Sequence, residues 1–114
     1  MPYLKLQTNQ TIDQQAMPGI LAALSKGVSE ALGKSENYVM ITLESATPMI
    51  FAGNDAPAAF VELKSLGLPE EQTQQFSERL CSLVESQTDI SRERVYIEFA
   101  SPARHMWGWN GRIF

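Results

Sequence analysis

The sequence predicts an α/β domain of the two-layer α+β kind, two pseudo-symmetric β-α-β units sharing one four-stranded sheet with two helices on one face. Three observations lead there. Apolar residues alternate in short runs, they recur at helical spacing in two longer runs, and the two halves match at a constant offset. With 114 residues the chain fits a single domain, residues 1–114, able to bury a modest core.

Leu4 and Leu6 alternate with Lys5 and Gln7, the pattern of a half-buried strand. Thr8-Asn9-Gln10-Thr11 is a polar loop. Pro18 suits the first turn of a helix, where its missing N–H breaks no bond. Ile20, Leu24, Val28 and Leu32 recur every fourth residue, with Leu21 and Ala31 widening the stripe. Gly33 is placed to end that helix as a cap. Val39 and Ile41, flanked by Tyr38 and Leu43, make a second strand, and Pro48, Gly53 and Asn54 punctuate the loop that follows.

The second half repeats the plan. Phe60, Val61 and Leu63 suggest a strand reaching Ser65-Leu66-Gly67. Pro69 with Glu70 and Glu71 marks a helix start, the acids complementing its dipole. Phe76, Leu80, Leu83 and Val84 form a buried helical face, and Val95, Ile97 and Phe99 alternate as a last strand. A shift of 56 positions, as from Ser35 to Ser91, also carries Val39 onto Val95, Leu24 onto Leu80 and Ile20 onto Phe76. Two β-α-β units with parallel strands and helical crossovers follow. The second face of such a sheet is expected to be apolar and covered by self-association.

Composition removes several function classes. A net charge of −4 with no basic cluster argues against a nucleic-acid partner. Cys81 is the one cysteine, so no internal disulfide or CxxC pair exists; it reads as a buried structural thiol. No apolar leader and no run of about 18 apolar residues is present, so a cytoplasmic protein without a membrane partner is expected. His105 is solitary and reads as a surface or loop residue, with no metal and no cofactor expected.

The most informative position is Pro2. Removal of Met1 before this small residue would leave a free secondary amine at the chain start. An α-amine titrates near ~7.7–8.0, and desolvation or a nearby cation lowers it further. Such a group can serve as a general base or as a nucleophile toward carbonyls. At the other end, Trp107-Gly108-Trp109-Asn110-Gly111-Arg112-Ile113-Phe114 reads as an Asn-Gly hairpin between aromatic arms. It forms either a subunit contact or ligand mouth, or a self-packed mini-hairpin.

These residues resemble the macrophage migration inhibitory factor and D-dopachrome tautomerase family, within the tautomerase superfamily that uses an N-terminal proline. Met1-Pro2, Thr8-Asn9, Gly33-Lys34, Phe51-Ala52-Gly53, Ser65-Leu66-Gly67, Ile90-Ser91 through Arg94-Val95-Tyr96-Ile97, and Gly108-Trp109-Asn110 carry the resemblance nearly end to end. It implies a homotrimer with sites at subunit boundaries. It implies proton shuttling by Pro2 on a small keto or enol acid, phenylpyruvate-like or dopachrome-like. Lys34 would bind a carboxylate or enolate oxygen, and the backbone at Ser65 and Leu66 would donate to substrate. Tyr96 would enter from a neighbour, Tyr38 would sit at the rim, and Trp109 and Phe114 would wall the pocket.

Without the resemblance, Lys34 is a dipole partner at a helix end, Tyr96 a half-buried strand aromatic, and Ser65 an ordinary strand-end residue. Three departures stand out: Glu98 where the mammalian factor has a pocket asparagine, Tyr3 beside the proline, and Trp107 near the mouth. The family's CxxC falls on Ala58-Ala59-Phe60-Val61, so thiol-oxidoreductase chemistry has no basis here. The receptor-directed arginine has no match in Thr11-Ile12-Asp13. A cytokine-like signalling protein with a weak pocket is the alternative function, and the resemblance allows export without a signal peptide.

Overall fold

The computed structural model describes residues 1–114. Strand β1 (Tyr3–Thr8) leads into helix α1 (Met17–Leu32) and returns as strand β2 (Met40–Glu44). Strand β3 (Ala59–Lys64), helix α2 (Thr73–Thr88) and strand β4 (Val95–Ala100) repeat the path, and a terminal hairpin adds β5 (Gly108–Trp109) and β6 (Arg112–Ile113). The sheet order is β2-β1-β3-β4: each β-α-β unit is parallel, and the units join through the antiparallel β1–β3 pair. The 56-position shift superposes the bounds of β1 on β3 and of α1 on α2. Two β-α-β units in one mixed sheet with two helices are therefore what the chain forms.

Alternation sets the core. Leu4, Leu6, Val61 and Leu63 point under the helices, and Ile20, Leu24, Val28, Phe76, Leu80 and Val84 meet them from above. Leu83, expected in the buried face, is only partly covered and packs beside α1. There Gly27 lets the helices approach: a Cβ on it would fall 2.5 Å from a Leu83 methyl. Cys81 is buried, and its thiol pKa is raised, first by desolvation. No helix is long and apolar enough to cross a membrane.

Three sequence expectations shift. The third strand stops at Lys64, because Gly67 at φ 65° turns the chain at Ser65–Leu68. Pro69 and the two glutamates open a 3-10 turn, Glu70–Gln72, and α2 proper starts at Thr73. Tyr38 lies in another 3-10 turn, Glu36–Tyr38, so β2 begins only at Met40.

The open face of the sheet is not apolar. Cross-strand register puts Thr42, Lys5, Glu62 and Glu98 in one row, and Glu44, Gln7, Phe60 and Tyr96 in another. Lys5 pairs with Glu44 at 3.4 Å. A face of this composition tolerates water, so apolar burial alone does not drive its covering.

Leu24 is fully buried between the helix layer and the sheet. Leu24→Ala is expected to cost about 2–5 kcal/mol, the range for a large-to-small core change. Urea unfolding at fixed protein concentration measures it, and a change below 1 kcal/mol would contradict this packing.

Candidate active site

The chain start is held inside the structure. Pro2 is buried, and its carbonyl accepts a hydrogen bond from the Met40 N–H at 3.0 Å, the first link between β1 and β2. Proline suits this position because it needs no ladder donor at the head of a strand. Beside it opens a cavity of about 460 Å³. Met1, Pro2 and Tyr3 form its floor, Asn37 to Met40 and Thr42 one wall, and Trp107 to Trp109 with Phe114 the other.

The aromatic wall is a packed cluster. Tyr38, Trp109 and Phe114 meet pairwise with centroids 5.6–5.8 Å apart, two contacts edge-to-face and one tilted. Such contacts add about 0.5–1.5 kcal/mol each beyond the area buried. The Asn110-Gly111 turn makes this possible. Both residues have positive φ, 54° and 72°, as the tight hairpin between β5 and β6 requires. Phe114 then folds back, its N–H donating to the Trp107 carbonyl at 2.9 Å. The tail is thus both a self-packed hairpin and one wall of the cavity.

A second cavity, about 370 Å³, also borders Met1. Lys34, Leu66, Gly67, Pro102 and Arg104 line it, and it shares Met1 and Phe114 with the first. Lys34 is aimed there by the end of α1. Gly33 takes φ 64°, and the N–H groups of Gly33 and Lys34 both close on the Ser29 carbonyl. The Ser29 hydroxyl donates to the Lys34 carbonyl at 2.5 Å. The Lys34 ammonium in turn donates to the Leu66 carbonyl at 2.8 Å, so two halves of the chain position one cation.

The Met1 amine, at the chain start, feels both surroundings. Partial burial lowers its pKa below the ordinary α-amine value, and the Lys34 charge lowers it further. The neutral, proton-accepting form is therefore reached at a lower pH than for a solvated amine.

Not every expected residue gathers here. Pro2, Tyr38, Trp107, Trp109 and Phe114 line the aromatic cavity, and Lys34 and Leu66 the second. Ser65 lines neither. Its N–H is spent on the Ala100 carbonyl at 3.0 Å and its buried hydroxyl on the Leu66 carbonyl at 3.3 Å, so it has nothing to donate to a ligand. Tyr96 and Glu98 also lie outside both cavities. Glu98 shares a row with Lys5, three residues along β1 from Pro2 and two strands away. At ~3.3 Å per residue and ~4.8 Å per strand, that is roughly 14 Å within one subunit. His105 is exposed in the turn Arg104–Met106, and no cluster of metal-ligating residues exists.

Two features were missed. Arg104 joins Lys34 across one cavity, which only the fold brings about. Arg94 clamps the loop before β3, donating to the Phe51 and Ala56 carbonyls at 2.9 Å each while its guanidinium covers the Phe51 ring. Phe51 then packs edge-on against the exposed Tyr96 ring at 4.8 Å.

A doubled β-α-β sheet with a buried chain start and an aromatic mouth defines a tautomerase-fold protein. Residues 1–114 match the family model described as macrophage migration inhibitory factor (MIF), and the chain belongs to that family. It is 34% identical to a macrophage migration inhibitory factor homolog of Brugia malayi, covering 100% of this chain and 99% of that one. Identity to the Mus musculus macrophage migration inhibitory factor is 31% over the same shares. Among solved structures, the homologue from Prochlorococcus marinus superposes with a TM-score of 0.91 at 38% identity over 98% of each chain. Leishmania major MIF2 gives 0.86 at 32% identity, covering 100% of this chain and 97% of the other.

Replacing Lys34 by methionine removes a cation but little volume. The chain-start amine should then titrate higher, still short of the ordinary value because desolvation is the larger cause. Nitrogen NMR titration of the amine reads this directly; an unchanged midpoint would mean that Lys34 does not reach it.

Proposed function

We propose that this protein is a cofactor-independent keto–enol tautomerase for phenylpyruvate-like or dopachrome-like substrates, with Pro2 as general base. The observation that supports it most is that Met1 lines both cavities, together with Phe114. Removal of Met1 joins an aromatic slot to a cationic end and leaves the Pro2 nitrogen at the junction. An aryl ring then fits among Tyr38, Trp109 and Phe114, and the acid end lies toward Lys34.

The step balances without a co-reactant. For ketonisation, the neutral Pro2 amine accepts the enol O–H proton, the electron pair re-forms the C=O bond, and the substrate carbon takes the proton back from the amine. The reverse direction takes a proton from carbon and returns it to oxygen. Developing negative charge on oxygen is stabilised by the Lys34 ammonium, which lowers the pKa of the Met1 amine in the unprocessed chain and would act likewise on a free Pro2 amine. The same reading makes the active species a cytoplasmic homotrimer. Tyr96 and Glu98 belong to a neighbour's site, since neither touches the cavities of its own chain.

Pro2→Gly keeps an amine but frees it to move. Turnover of phenylpyruvate enol, followed in the ultraviolet, should fall by about 10²–10⁴ with circular dichroism unchanged. Intact mass establishes Met1 loss, and sedimentation should give about three times 12.7 kDa. Mixed Pro2→Gly and Tyr96→Phe chains should regain some wild-type sites. Near-normal turnover in Pro2→Gly, or an active monomer, sinks the reading.

A second reading, a signalling or binding protein with a weak pocket, is favoured by Glu98. An ionised acid within about 4–6 Å of the amine of a neighbouring subunit favours its protonated form and repels a carboxylate. Glu98→Asn should then move the acidic limb of the pH–rate profile to lower pH and reduce KM for a keto acid. If both stay fixed, Glu98 does not face a site.

A further inference from the structure

Arg94 spends its guanidinium on backbone carbonyls alone. Nε donates to Pro57 at 3.2 Å, Nη1 to Phe51 at 2.9 Å, and Nη2 to Ala56 at 2.9 Å and Asn54 at 3.4 Å. No carboxylate pairs with it; the one ion pair of the chain joins Lys5 to Glu44. Bonds from a cation are stronger than neutral ones, so four of them fix the loop they reach. The loop needs fixing. Phe51 and Asn54 exchange backbone bonds of 3.0 and 3.1 Å around Ala52 and Gly53, whose φ angles are 55° and 79°. An alanine in that region is strained, and such backbone persists only where its surroundings over-determine it. The Arg94 fork grips the carbonyls at both ends of this turn.

The Phe51 ring lies against two residues of the β4 entry. Its centre is 4.9 Å from the Arg94 guanidinium carbon and 4.8 Å from the centre of the Tyr96 ring, which it meets edge to face. Tyr96 is 60% exposed on an outer strand, and Phe51 is the one aromatic ring stacked against it. An exposed side chain changes rotamer within nanoseconds unless a neighbour holds it. Arg94 thus reaches Tyr96 through Phe51, in a stack anchored to the backbone. The 56-position shift carries Tyr38 onto Arg94, each the last residue of a 3-10 turn ahead of an outer strand. In the first half that position holds the aromatic tail through Trp109 and Phe114. In the second it holds the loop that seats Phe51.

We propose that Arg94 is a positioning residue for the reaction: it holds Phe51 so that the Tyr96 hydroxyl is aimed into the site of a neighbouring subunit. The assignment rests on the tautomerase reading of Tyr96 for its catalytic consequence, whereas the stack itself does not. Arg94 lines neither cavity beside Met1, so its loss leaves the chain-start amine and Lys34 in place and misaims one contact.

The test uses Arg94→Met and Phe51→Leu in the full chain after Met1 removal. Methionine keeps reach over the ring but offers the carbonyls nothing; leucine leaves the clamp and removes the ring. Each should lower kcat/KM for phenylpyruvate about tenfold, as for a misplaced contact, with the acidic limb of the pH–rate profile unmoved. In a Tyr96→Phe background, which has no hydroxyl to aim, each should cost less than about twofold. Arg94→Met chains mixed with Pro2→Gly chains should regain wild-type sites, whereas mixed with Tyr96→Phe chains they should not. A general folding defect does not sort in this way. Fluorine NMR of protein labelled with 3-fluorotyrosine at its three tyrosines reads the ring without turnover. The Tyr96 resonance, identified by its loss in Tyr96→Phe, should move in both variants while those of Tyr3 and Tyr38 stay fixed. A Tyr96 resonance that stays in place in Arg94→Met, or a full tenfold loss in the Tyr96→Phe background, overturns the assignment. A moved resonance in a protein that turns over no keto acid supports the hold on Tyr96 and defeats the tautomerase reading alone.

Discussion

The antiparallel pairing of β1 with β3 is the interaction on which the rest of the molecule depends. It is the one place where the two β-α-β units share a ladder, and its register sets Leu4 opposite Leu63 and Leu6 opposite Val61 beneath both helices. Every other strand contact of the four-stranded sheet lies inside a unit. Because β2 flanks β1 on its other side, the head of the chain emerges between two strands rather than at an edge. A chain terminus is normally mobile and wet. Here Pro2 is buried where both neighbouring strands run past it, and partial burial of the Met1 amine just ahead of it is the first cause that makes that amine easier to deprotonate.

Around that fixed point, short local devices set side chains that are distant in sequence. The left-handed Gly33 cap turns Lys34 out of the helix, and the carbonyl of Leu66 from the other half receives its ammonium. The Asn110-Gly111 turn brings Trp109 and Phe114 back onto Tyr38. Each device is a few residues long. Together they arrange an aromatic cavity beside a second one lined by Lys34 and Arg104.

Much of this was legible in the sequence because period and punctuation are local. The fourfold recurrence from Ile20 to Leu32, the Gly33 stop and the offset between the halves all survive in the folded chain. The expected aromatic wall gathers because the Asn-Gly turn permits one short hairpin. What escaped depends on where the chain passes in space. Ser65 looked available, but its amide is taken by Ala100 on a neighbouring strand. The open sheet face was expected to be apolar, although Lys5, Glu62 and Glu98 align there once the register is known. Arg104 and Lys34 come from a terminal turn and a helix end, and no spacing rule links them.

The internal doubling makes the two ends of the central strand pair equivalent in backbone and opposite in use. The shift that carries β1 onto β3 carries Pro2 onto Ala58, which is also buried. At that second end the Ala58 N–H donates to the Asn9 side chain, its carbonyl accepts from the Thr8 hydroxyl, and Arg94 fastens the preceding loop over it. Ala58 is reached through a peptide bond, and an amide nitrogen has no lone pair to offer a proton. A gene that copies a β-α-β unit doubles every strand and helix, but the product still has a single amino terminus. The fold can thus be symmetric while amine chemistry cannot, and any tag or fusion joined ahead of Pro2 would make the two ends chemically alike.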